Sequence, residues 1–180
     1  LISFGGIHPD CEDYKKELNH IKEMGLKGIK IHPDYQGVMI DDVRFMNIIE
    51  YADALGLIVL THAGIDIGLP MPVHCPPDKM KKVIEDIKPK KLVLAHMGGW
   101  KQWEEVYEYL TGENLYLDTA FTFDYIKEDM FYKILEKHGI IVYNRHCMFH
   151  RRDWMFFKKK DTETGNSVLN EFKRLWNDEL

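Results

Sequence analysis

Gly28-Ile29-Lys30-Ile31-His32-Pro33 starts as a short apolar run and ends in a histidine and a proline. Runs that are apolar throughout, without alternation, suit strands buried on both faces of a parallel sheet. Similar runs, rich in Ile, Val or Leu, stand at residues 2–7, 57–61, 91–95 and 115–119. Helix-like stretches lie between them at 11–24, 41–55, 78–87, 100–110 and 124–138. Four of these stop at or near Gly25, Gly56, Gly112 and Gly139, as expected of a residue that takes the left-handed conformation without steric cost. Within 41–55, Val43, Met46, Ile49, Ala52 and Leu55 follow a 3.6-residue period and predict one buried stripe.

Regular strand–helix alternation implies an α/β fold with a parallel sheet, either doubly wound or closed as a (β/α)8 TIM barrel. No G-x-G-x-x-G follows the first run, which removes the main dinucleotide-binding signature. Five units fill residues 1–139, and a sixth strand is expected over 138–143. A whole barrel takes about 250 residues, so a partial TIM barrel is predicted. It is placed over residues 1–143, with 144–180 as a divergent tail of no assigned structure.

The 180-residue chain is 45% hydrophobic and 29% charged, the composition of a globular protein. No apolar run is long enough to cross a bilayer, and no basic n-region precedes an apolar h-region, so neither a membrane anchor nor a signal peptide is expected. The chain opens without Met inside an apolar run, as a fragment would. A net charge of −5 argues against a nucleic-acid scaffold. The basic pairs and triplets of the tail, Arg151-Arg152 and Lys158-Lys159-Lys160, are too few to reverse that. Cys11, Cys75 and Cys147 are odd in number and widely spaced, which points to a reducing, cytoplasmic compartment.

The chemistry lies where each strand ends. The runs deliver His8, His32, His62 and His96 in turn, and the fifth delivers Asp118. In an α/β barrel the C-terminal strand ends share one rim, where active sites are built. Several neutral imidazoles on one rim suit a divalent ion with an open coordination position. Any single one of these histidines is as well explained as a loop hydrogen-bonder, and His8-Pro9 and His32-Pro33 also read as plain strand-to-turn junctions. Asp118 reads equally as a loop-holding carboxylate. Lys30, two residues before His32, shares its side of the strand and is a candidate for an anionic substrate or for an ion pair. His74 and Cys75 lie in a proline-rich loop, 69–77, that makes His74 a candidate substrate contact. His146 and His150 stand four apart without the glutamate of H-E-x-x-H and read as incidental.

Taken in order, the 28–33 segment, Tyr35-Gln36-Gly37, Thr61-His62-Ala63-Gly64, Ala95-His96-Met97-Gly98-Gly99 and Tyr116-Leu117-Asp118-Thr119 resemble the amidohydrolase-related family. They are most similar to its branch of aminocarboxymuconate-semialdehyde decarboxylase-like proteins. The resemblance implies a distorted TIM barrel with one or two divalent metals, here strands 3 to 7 with an aberrant strand-8 region. It maps a metal ligand onto His62 and a second ligand, or a base beside the metal, onto His96. With these go Asp118 as a catalytic residue and Lys30, His32 and His8 as substrate-binding residues. Zinc is the expected ion, with manganese or iron as alternatives, and a small molecule is the expected partner, in a protein that pairs as a homodimer. Two departures accompany the match: the H-x-H of the first strand is absent, and no aspartate follows Gly139 before Asp153. A frame error or decayed gene is one reading of that break. The expected activity is metal-dependent hydrolysis of an amide, ester or lactone-type carbon; the alternatives are a metal-dependent decarboxylase and an inactive remnant.

Overall fold

The computed structural model of the chain describes residues 3–139 and 156–158. Caps set where the helices start. The first helix, α1 (Tyr14–Glu23), begins later than its periodicity suggests because the Asp13 carboxylate accepts from Lys16 N at 3.1 Å. Likewise Asp42 caps α3 (Val43–Ala54) through Arg44 N. Pro77 opens α4 (Pro77–Ile87), where its missing N–H costs nothing. A one-turn helix, α2 (Pro33–Gln36), was not anticipated; His32 caps it, Pro33 starts it and Gly37 ends it in the left-handed conformation. Residues 96–98 form a 3-10 turn, so α5 (Trp103–Tyr109) starts three residues later than expected. The last helix, α6, is Glu128–His138.

The strands are β1 (Gly5–Gly6), β2 (Gly28–Ile31), β3 (Ile58–Thr61), β4 (Leu92–Leu94) and β5 (Tyr116–Asp118). They lie side by side in chain order, each parallel to the next. Sequential order bears out the partial TIM barrel expected above. A doubly wound sheet reverses its strand order at a switch point, whereas a barrel does not. The fold is an arc of a TIM barrel.

Burial explains why the arc holds. Ile29, Ile31, Leu92, Leu94 and Leu117 from the strands pack with Leu18, Phe45, Ile48, Ile49, Met80 and Ile134 from the helices in one hydrophobic core. Each such side chain contributes about 1.5–3 kcal/mol on burial.

Two expectations end differently. His138 closes α6 and is not the start of a strand, and residues 140–143 lie outside the described residues. A short strand, β6 (Phe156–Lys158), instead pairs antiparallel with β5. The remaining tail, including His146, Cys147, His150 and Arg151-Arg152, also lies outside the described residues. Among the described residues no helix is long and apolar enough to cross a membrane. Cys11 and Cys75 are free thiols, and burial pushes that of Cys75 well above its usual range.

Candidate metal centre and cleft

The C-terminal ends of β2, β3 and β4 bring His32, His62 and His96 to a cleft of about 300 Å³, walled by Tyr35, Trp100 and Phe121 and reached by Asp66. His62 is the middle ring. It stacks on His32 with centroids 4.1 Å apart and planes 7° from parallel, and meets His96 edge-on at 5.0 Å. Its Nδ1 lies 3.2 Å from His96 Nε2. Its Nε2 is buried without a hydrogen-bond partner, 4.0 Å from Asp34 Oδ2 and 4.0 Å from Asp66 Oδ2. Burial, then the neighbouring His32, His96 and Lys30, hold the His62 pKa down to about 3, so the ring is neutral at ordinary pH. His32 is lowered too, first by burial and then by Lys30.

His96 sits in strained backbone. Its φ is 58°, and Met97 follows at 59°, a left-handed pair that ordinary side chains avoid. Surrounding bonds hold it there. His96 N donates to Asp118 Oδ1 at 3.2 Å, Ala120 N donates to the same oxygen at 2.8 Å, and Trp103 Nε1 donates to His96 O at 3.1 Å. The His96 ring places Nδ1 2.7 Å from Ala120 O. A carbonyl only accepts, so Nδ1 carries the proton and Nε2 presents a lone pair when the ring is neutral.

Two further ties lock the rim. Gly64, at φ 82°, forms a parallel bridge to Trp100: Trp100 N donates to Ala63 O and Ile65 N to Trp100 O, both at 3.0 Å. A Cβ on Gly64 would fall onto the backbone of Gly99 and Trp100. Gln36 spans β1 and β2, its Oε1 accepting from His32 N at 2.8 Å and its Nε2 donating to Ile7 O at 2.7 Å.

Of the residues singled out in the sequence, His32, His62 and His96 share the cleft. Lys30 lies two residues, or about 7 Å, deeper along β2; burial holds its ammonium below its usual range. Asp118 is almost wholly buried behind His96, where burial raises its pKa, and the loop-holding alternative describes its bonds. His8 is not brought to the cleft: its half-exposed ring accepts from Asp10 N at 3.2 Å. His74 reaches the site at one remove, its N and Nδ1 lying 2.9 and 3.2 Å from Asp34 Oδ1. Asp34, Asp66 and the aromatic walls were missed. The only sequence signals were Asp34 directly after His32-Pro33 and Asp66 four residues past His62.

These donors suit a divalent ion. His32 Nε2, His62 Nε2 and one Asp66 oxygen all lie within 4.8 Å of one another. An unpartnered buried imidazole nitrogen facing two carboxylates is costly unless a cation intervenes.

The amidohydrolase family model matches residues 4–161. The chain belongs to the amidohydrolase family. The resemblance read from the strand-end motifs is thus borne out, and with it a metal-dependent superfamily. Among solved structures, an uncharacterized TIM-barrel protein from Bordetella bronchiseptica is 16% identical with a TM-score of 0.50, the match covering 65% of this chain and 41% of that one. Similar in part are 5-carboxyvanillate decarboxylase from Sphingomonas paucimobilis (15% identity, TM-score 0.49, 75% and 52% covered) and a probable 2-pyrone-4,6-dicarboxylic acid hydrolase from Acinetobacter baumannii solved with citric acid (10%, 0.47, 75% and 50%). This amidohydrolase chain therefore spans about half the length of the structures it matches or less. No curated protein matched it.

Proposed function

We propose that the chain carries the site of a metal-dependent hydrolase acting on an amide, ester or lactone-type carbon of a small molecule. One observation carries the reading: His62 and His96, 3.2 Å apart, stand together at the head of an aromatic-walled cleft. A divalent ion bound at His62, zinc first among the candidates, would supply a Lewis acid and an ionised water. His96 is the base in this reading. Its Nδ1–H on Ala120 O keeps Nε2 as the lone-pair nitrogen that takes a proton from the attacking water and returns it to the leaving group. Asp118 is a positioning residue that acts through the His96 backbone. Trp100, Phe121 and Tyr35 bind the apolar part of the substrate and exclude water.

A second reading, decarboxylation on the same scaffold, rests on Lys30, a half-buried lysine two residues before His32 on β2, as the cation that would draw a substrate carboxylate. The test is a panel of esters, lactones, amides and aromatic acids, assayed with zinc or manganese while pH and carbon dioxide are monitored. The hydrolase reading expects metal-stimulated acid release, lost in His62→Ala and reduced about 100-fold or more in His96→Asn. Carbon dioxide release replaces it with the decarboxylase. A folded, metal-loaded chain inactive on every class supports a remnant without catalysis.

A further inference from the structure

His96 owes its tautomer to one carbonyl, and that carbonyl owes its direction to the residue after it. Ala120 O takes the His96 Nδ1 proton at 2.7 Å and accepts from Thr122 Oγ1 at 3.2 Å, so both of its lone pairs are engaged. The nitrogen of the same residue is pinned as well: Ala120 N and His96 N both donate to Asp118 Oδ1, at 2.8 and 3.2 Å. Three residues thus close a circuit that joins the end of β4 to the loop after β5. The circuit needs Ala120 O turned toward His96. The planar peptide unit that carries this oxygen ends at Phe121, so the φ of Phe121 helps to set its direction.

That φ is 58°, in the left-handed region. A glycine takes it without cost, whereas a phenylalanine must be held there by other contacts. The ring supplies them. Its centroid lies 5.2 Å from that of Tyr125 and 6.4 Å from that of Trp100, and Tyr125 meets Trp100 edge-on at 5.3 Å. Aromatic pairs at such separations attract beyond their buried area. Yet the side chain is 53% exposed, and it lines the cleft. A half-exposed aromatic residue in strained backbone breaks two local rules at once, and such violations gather at functional sites.

We infer that Phe121 is a positioning residue for His96: its ring, seated on Trp100 and Tyr125, holds the left-handed turn that points Ala120 O at Nδ1 and so leaves Nε2 as the lone-pair nitrogen. Phe121 touches no reacting atom in this role and acts through the Ala120 carbonyl. Without the turn, Ala120 O leaves Nδ1, and the ring proton settles on Nε2, 3.2 Å from His62 Nδ1. The imidazole then donates where a base must accept. The same ring lines the cleft, so the residue that meets the apolar part of the substrate also sets the tautomer of the base. The inference rests on the hydrolase reading for its catalytic meaning, but its test is a proton position and needs no turnover.

Imidazole ¹⁵N spectra of the full 180-residue chain, treated with EDTA and held at about pH 8 so that the rings are neutral, read the tautomer directly. Wild type is compared with Phe121→Tyr, Phe121→Gly and Phe121→Val. A second buried ring serves as the control: His138, whose Nδ1 accepts from Gly112 N and whose Nε2 lies 3.2 Å from Leu115 O. The expected result puts the His96 proton on Nδ1 in about nine-tenths of molecules or more, in wild type and in Phe121→Tyr. Phe121→Val, which loses both ring pairs and adds a β-branched carbon, shifts the ratio about tenfold or more toward Nε2. Phe121→Gly stays closer to wild type, since its backbone takes the turn freely. His138 keeps its tautomer throughout. The inference is overturned if wild-type His96 carries its proton on Nε2, if Phe121→Val keeps the wild-type ratio, or if Phe121→Gly shifts as far as Phe121→Val. A shift of His138 along with His96 also overturns it, because the ring would then hold the chain together in general and not the turn. A chain inactive on every substrate class counts against the hydrolase reading and leaves these spectra unchanged.

Discussion

Replacing Gly64 by alanine should separate the two rim segments that carry His62 and His96. The added Cβ has nowhere to go, because its nearest neighbours are backbone: Trp100 N, Gly99 C and, at 2.7 Å, Trp100 O. Backbone locked in a bridge cannot rotate aside as a side-chain tip would. The residue must also keep φ near 82°, which costs an L-residue about 1–2 kcal/mol. Overpacking adds about 1–3 kcal/mol, for a total of about 2–5 kcal/mol if the bridge survives. If it breaks, the bonds of Ile65 N and Trp100 N are lost as well, each worth about 1 kcal/mol. For a chain of this size the melting temperature should fall on the order of 10 °C. Thermal unfolding by circular dichroism, with urea midpoints as a second measure, reads the change. A melting temperature within about 2 °C of wild type would refute the argument, because it would mean that the two loops are not held at this distance.

Removing Phe45, fully buried in the core, should cost about 3–5 kcal/mol in Phe45→Ala by urea unfolding. Asp118→Ala should destabilise the chain by about 1–3 kcal/mol by leaving His96 N and Ala120 N without an acceptor, while Asp118→Asn, whose amide oxygen still accepts, should retain most of that stability. Lys30→Met should raise the His32 pKa, since the ammonium opposes the imidazolium, and an NMR titration of the ring proton should show the upward shift. The His62 pKa is depressed from 6.5 to about 3, so in that window the unfolded chain binds the extra proton and stability falls with falling pH. Relative to His62→Gln, the wild-type chain should lose up to about 2 kcal/mol on going from about pH 6.5 to about pH 4.5.

Much of the fold was legible because strand burial on both faces leaves an unbroken apolar signature. The 28–31 run matches β2 residue for residue, and the other inner runs shrink by one or two residues at their ends. The partial barrel was legible from the regular repeat and the missing G-x-G-x-x-G, whereas the strand order that sets it apart from a doubly wound sheet is a property of pairing and shows only in the structure. The turn α2 was hidden for a different reason: its cap is a histidine, already read as a site residue. The rim histidines were visible because each follows a strand. Asp66 and Asp34 were not, because a loop carries Asp66 and the unanticipated turn α2 carries Asp34 to His62. His8 shows the converse, since a position after a strand placed it on the rim in principle while a local bond to Asp10 N turns it aside.

The bridge made by Gln36 has a consequence for how an ion would arrive. One side chain fastens the end of β1 to the backbone of His32, so that part of the rim is ordered by amide bonds that need no metal. The ordering entropy that a zinc finger settles only when its ion binds is here met by folding itself. Ions should therefore enter and leave a standing cradle, and a chelator should empty it without unfolding the chain.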